Sequence, residues 1–113
     1  MNVQIFGTKK SFDSKKAERY FKERGIKYQF VDMKEKGLSK GEFNSVCQAI
    51  GGYEKLIDPT CKDKNLLALV QYLSEEDKKE KILENQKIIR TPIVRNGKQA
   101  TVGYEPDVWK DWK

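Results

Sequence analysis

Two changes of hydrophobic period near the start of the chain constrain its fold more than any other feature. Asn2-Val3-Gln4-Ile5-Phe6 reads as a strand ended by Gly7. Thr8 to Ser14 is a polar turn rich in N-capping residues. Ala17, Tyr20, Phe21 and Arg24 then fall at helical spacing, with Gly25 as the C-terminal stop. Tyr28, Phe30 and the Val31 beside it form a second strand. Strand, helix and strand in so short a stretch make a βαβ unit, whose strands must run parallel with a right-handed crossover.

The middle of the chain reads as helical. Ser39 and Glu42 make a capping box ahead of Phe43, Val46, Cys47 and Ile50. Gly51-Gly52 breaks that helix, and one short turn is expected from Tyr53 to Ile57. Asp58-Pro59 punctuates the chain before a run of Leu66, Leu67, Leu69, Val70 and Leu73. Ser74 caps a charged helix from Glu75 to Glu84. The period then changes again. Ile88 to Val94 leads into Asn96-Gly97, the strongest short hairpin signal, and Gln99 to Tyr104 returns. Pro106 suits the first turn of a closing helix with Val108, Trp109 and Trp112 on one side.

Composition narrows the chemistry. A chain of 113 residues is expected to be one domain, and no apolar run approaches the ~20 residues of a membrane span. Two cysteines, Cys47 and Cys61, are too few for a disulfide framework, so a reducing cytoplasm is expected. The chain has no histidine, which removes the commonest general base and the commonest metal ligand; no metal site is expected. Net charge is +6, and residues 1–30 alone hold eight Lys or Arg against three acids. Such a face can be plain solvated charge or can attract an anionic partner. No motif points to direct nucleic-acid binding.

A parallel βαβ unit followed by an antiparallel hairpin is the skeleton of a thioredoxin-like α/β domain with a mixed four-stranded sheet. The run Ile5 to Ala17, with Lys15-Lys16-Ala17, is similar to the opening strand, active-site turn and first helix of the arsenate reductase and Spx family. Asp32 to Leu38, with Ser39 and Glu42, resembles that family's approach to its helical insertion. Thr91-Pro92-Ile93-Val94 followed by Val102-Gly103-Tyr104 resembles its hairpin. The resemblance implies a thioredoxin core over 1–33 and 88–113, a helical insertion over 34–87, and a cis Pro92 facing the active-site turn.

The resemblance also implies where chemistry belongs. It sets Ser11 where the family has its nucleophilic cysteine and Ser14 where Spx relatives have a second one. A thiol at that helix N-terminus would be acidified by the backbone dipoles, whereas a serine hydroxyl would not ionise usefully. By its own chemistry Ser11 reads first as a helix N-cap and only second as the remnant of a catalytic position. The family's three oxyanion-holding arginines fall at Asp58, Thr91 and Glu105, with Arg90 one residue early. The implied substrate-binding set is therefore Lys9, Lys10, Ser14, Arg90, Thr91 and Pro92. Family membership implies the lineage of glutathione- or thioredoxin-linked reductases with no bound cofactor, glutathione serving as co-substrate and an oxyanion as a ligand. With Ser11 in the cysteine's place, the family's redox activity is expected to be absent. The alternative is a non-enzymatic Spx-like module. It would bind RNA polymerase, at the C-terminal domain of the α polypeptide, through a surface near Gly51-Gly52 and the first helix. A monomer is expected.

Cys47 lies on the apolar stripe with Phe43, Val46 and Ile50 and is expected to be a buried core thiol. Cys61 sits among Thr60, Lys62, Asp63 and Lys64 and is expected at the surface, where lysines would favour thiolate. It is the one alternative thiol for catalysis.

Overall fold

The computed structural model describes residues 1–112. Its sheet has four strands in the order β2-β1-β3-β4. β1 (Val3–Gly7) lies parallel to β2 (Tyr28–Asp32), joined by the crossover helix α1 (Phe12–Glu23). β3 (Ile93–Asn96) runs antiparallel to β1 and forms the expected hairpin with β4 (Gln99–Val102). Between β2 and β3 come α2 (Lys40–Ile50), a 3₁₀ turn at Tyr53–Leu56, α3 (Lys64–Gln71) and α4 (Glu75–Glu84). A single turn, α5 (Pro106–Trp109), closes the chain. Among the described residues no helix is long and apolar enough to cross a membrane.

Local chemistry sets the helix ends. Ser39 Oγ accepts from Glu42 N–H while Ser39 N–H donates to the Glu42 carboxylate, completing the capping box. Ser74 and Asp63 cap α4 and α3 in the same way through a side-chain oxygen. At the end of α1, Gly25 takes φ +67°; its N–H reaches Lys22 O and the Ile26 N–H reaches Phe21 O. That 5→2 and 6→1 pairing satisfies two carbonyls the helix would leave open.

Alternation along β1 divides the interior into two cores. Val3 and Ile5 face α1 and α5, packing with Ala17, Tyr20, Phe21, Val94, Trp109 and Trp112. Phe6 faces the opposite side and joins Phe43, Val46, Leu56, Ile82, Ile88 and Ile93 under the inserted helices. Each large apolar side chain buried this way stabilises by about 1.5–3 kcal/mol. The sheet is thus covered on both faces, by α1 and α5 on one and by α2 to α4 on the other.

Three expectations of burial are corrected. Cys47 is half-buried rather than sealed in the core, because it lies one turn from the Gly51 break and flanks an open groove. Cys61 is buried, not superficial: the loop before α3 turns it inward, where its thiol faces the Lys87 carbonyl at 3.7 Å. Val108 is exposed while Trp109 and Trp112 are buried, since a helix of four residues presents only a narrow face to the sheet.

Candidate functional site

The turn between β1 and α1 is built on serine oxygens. Ser11 takes extended backbone angles, and its Oγ accepts from Ser14 N–H at 3.2 Å, the geometry of a helix N-cap. Ser14 is fully buried one turn later, and its Oγ accepts from Thr8 N–H at 3.3 Å. The two hydroxyls therefore tie the turn to the helix from above and below. Gly7 permits this closeness: a Cβ there would overlap Ser14 Oγ and come within 2.8 Å of Ser14 Cβ. Lys9 and Lys10 at the turn, and Phe12 just after it, are exposed.

Thr91–Pro92 is a cis peptide bond, as the resemblance implies. Beside it opens a cleft of about 480 Å³ lined by Thr8, Met33, Lys34, Asp58, Gln86, Lys87, Ile89 and Thr91. Of the residues set by resemblance at the arginine positions, Asp58 and Thr91 meet in this cleft. Glu105 is apart from it, exposed at the start of α5. Arg90 turns its guanidinium towards Gly103, and its backbone N–H is spent on Leu56 O at 2.7 Å. Lys9, Lys10, Ser11, Ser14, Arg90 and Pro92 do not line the cleft.

Gln86, Lys87, Met33 and Lys34 were not singled out by the sequence. Gln86 Oε1 accepts from Leu38 N–H at 2.6 Å, and its Nε2 donates to Leu38 O at 2.8 Å. This bonds the approach to α2 to the far end of the insertion, 48 residues on. No local pattern could reveal such a pairing. Lys87 Nζ contacts Asp63 Oδ2 at 2.8 Å. The hydrogen bond from Lys87 pulls the Asp63 carboxyl below its ordinary value, and the same bond raises Lys87.

The thiols lie elsewhere. Cys61 sits behind the cleft with its Sγ aimed at the Lys87 carbonyl. Cys47 flanks a separate groove of about 540 Å³ with Gly51, Gly52, Tyr53 and Lys79, and burial pushes its thiol up. Among the described residues no group of three or more Cys, Asp or Glu side chains is placed to hold a metal ion. The cleft can offer threonine hydroxyls, ammonium groups and the Asp58 carboxylate to a polar ligand, with the Gln86 amide spent on Leu38 and no thiol in its lining.

The sequence model of the ArsC family matches residues 6–112. A global transcriptional regulator, Spx 2 of Oceanobacillus iheyensis, is 26% identical over an alignment covering all of this chain and 94% of that protein. An ArsC-family-related protein from Bacteroides fragilis superposes with a TM-score of 0.86 at 19% identity, covering 100% of this chain and 98% of the other. An arsenate reductase from Vibrio cholerae gives 0.82 at 24% identity, covering 96% and 94%. Similarity at that level of identity establishes the thioredoxin-like fold of these structures. With the family pattern running from the end of β1 to the closing tryptophan, the chain belongs to the ArsC family.

Proposed function

We propose that this chain works as a non-enzymatic member of the ArsC family, acting by binding a protein partner rather than by thiol reduction at the first helix. The observation that carries this reading is the state of Ser11. By resemblance it takes the place of the family's nucleophile, and here its Oγ is a hydrogen-bond acceptor that closes the α1 N-terminus. A hydroxyl needs a base to attack, and the chain has no histidine. Cys61, the alternative thiol, is buried against the Lys87 carbonyl and does not line the cleft. Asp58 would repel an oxyanion where the family pattern has an arginine to hold one. The partner implied by the resemblance to Spx is RNA polymerase; of the two places expected to meet it, Gly51-Gly52 lies at the end of α2, on the face of the sheet opposite α1.

The test has two arms. Reduction of a small mixed disulfide by glutathione should be at background for the protein and should appear in Ser11→Cys. Purified RNA polymerase should retain the protein in a pull-down at low salt. Turnover by the unaltered protein that disappears in Cys61→Ser would make it an enzyme and overturn the reading. Failure of polymerase to retain it would remove that partner.

A further inference from the structure

A third depression lies between α1 and the segment leading into α5. It encloses about 380 Å³ and is walled by Lys16, Arg19, Tyr20, Glu23 and Arg24 on one side and Tyr104 on the other. Lys16, Tyr20 and Arg24 are spaced four apart, so they form one stripe along α1. Aromatic rings hold two of its three cations in place. The Arg24 guanidinium lies 3.7 Å from the centroid of the Tyr20 ring and donates to the Tyr20 carbonyl, while Lys16 Nζ sits 5.5 Å from the centroid of the Tyr104 ring. Arg19 is satisfied by Glu23 at 3.2 Å. Among the described residues neither Lys16 nor Arg24 has a carboxylate within ion-pairing distance.

We infer that this cleft docks an acidic, extended segment of a partner protein, with carboxylates meeting Lys16 and Arg24. Lys16 and Arg24 stand about 12 Å apart along the helix at 1.5 Å per residue, and the Arg24 side chain folds back over Tyr20, so the two charges lie closer together than that. An extended chain advances about 3.3 Å per residue, so two acidic side chains within roughly three to four residues of each other reach both charges. The ordering entropy of the cations is reduced in advance, because each already rests on a ring. The surplus of positive charge in the first thirty residues steers an acidic segment to this face. A single nucleic-acid strand fits less well. Such strands bind by stacking bases on open aromatic faces, but Tyr20 is buried under Arg24, and Tyr104 carries Lys16 and packs edge-on against Trp109. The acidic segment need not belong to RNA polymerase.

The test is fluorescence anisotropy with labelled hexaglutamate on the full chain. Binding should be detectable at about 20 mM salt and fade towards about 300 mM. The Lys16→Gln/Arg24→Gln double variant should bind about tenfold more weakly, whereas Lys62→Gln/Lys64→Gln, which removes equal exposed charge at the start of α3, should change binding much less. Amide shifts in the unaltered protein, read over Lys16–Arg24 and Tyr104–Glu105 during titration, locate the site without any substitution. Absence of hexaglutamate binding would overturn the inference, as would equal losses in the two double variants or shifts confined elsewhere. Tighter binding of a labelled decathymidine strand that depends on Lys16 and Arg24 would replace it with a nucleic-acid surface.

Discussion

One carboxylate, that of Glu42, joins the helical insertion to the sheet through Arg95. Glu42 Oε1 closes the capping box of α2 at 2.9 Å, and Oε2 faces Arg95 Nη1 on β3 at 3.5 Å. Arg95 also donates to Gln4 on β1 at 2.9 Å, while its buried Nε has no hydrogen-bond partner among the described residues. Replacing Glu42 by alanine removes the carboxylate half of the capping box and the ion pair together, while Ser39 Oγ still accepts from the backbone N–H of residue 42, and should cost about 1–2 kcal/mol. Glu42→Gln keeps an acceptor for Ser39 N–H and loses only the charge, so it should cost less than half as much. Urea unfolding of both variants checks this; equal costs would mean that the ion pair, not the cap, dominates.

The closing turn is anchored by a buried bond from Trp109 Nε1 to Thr101 Oγ1 at 2.7 Å. Thr101→Val preserves shape but leaves the indole N–H unpaired, at a cost of about 1–3 kcal/mol. Thr101→Ser keeps the acceptor and should cost less. A thermal melt in which the serine variant is the less stable of the two would show that the methyl group matters more than the bond.

Acid should weaken the ion pair at the start of α3. The Asp63 carboxyl is held below its ordinary value of 3.8, first by its hydrogen bond from Lys87. A depressed carboxylate contributes stability that is present above the unfolded value and is lost as pH falls through the folded one. The loss therefore sets in below about pH 4. Asp63→Asn can still cap α3 by accepting from Leu66 N–H, so it isolates the charge. Its stability should lie below that of the unaltered protein at pH 6, and the gap should narrow as pH drops towards 3. A gap that does not change with pH would refute the link. Lys87, raised above 10.5 first by the same bond, should give the mirrored loss only at pH above that value.

The two thiols should differ in reactivity, in the order opposite to that expected from their neighbours in sequence. Cys47 is half-buried at the edge of a groove, and Cys61 is 9% exposed with its Sγ directed inward. A disulfide reagent added to the folded protein should titrate one thiol, slowly, because burial raises Cys47 and so thins its thiolate. Cys47→Ser should abolish that reaction, and Cys61 should react only in denaturant. Loss of the reaction in Cys61→Ser instead would mean that the loop before α3 opens readily.

Features set by neighbours along the chain were legible in the sequence alone. The caps at Ser11, Ser39 with Glu42, and Ser74 depend on residues three positions apart, and the order of strands and helices follows from hydrophobic period. Asn96-Gly97 likewise marked the hairpin of β3 and β4. Burial and clefts were not legible in the same way. Cys47 and Cys61 exchange roles because a thiol's surroundings depend on which distant segment covers it: the Lys87 carbonyl covers Cys61, and a groove stays open beside Cys47. The meeting of Thr8, Met33, Asp58 and Thr91 draws on four separate stretches of chain. The sequence by itself determined the elements, their order and the serine at the head of α1. Only the tertiary structure decided which side chains share a cleft, because the contacts that close it join residues too far apart along the chain for any local pattern to record.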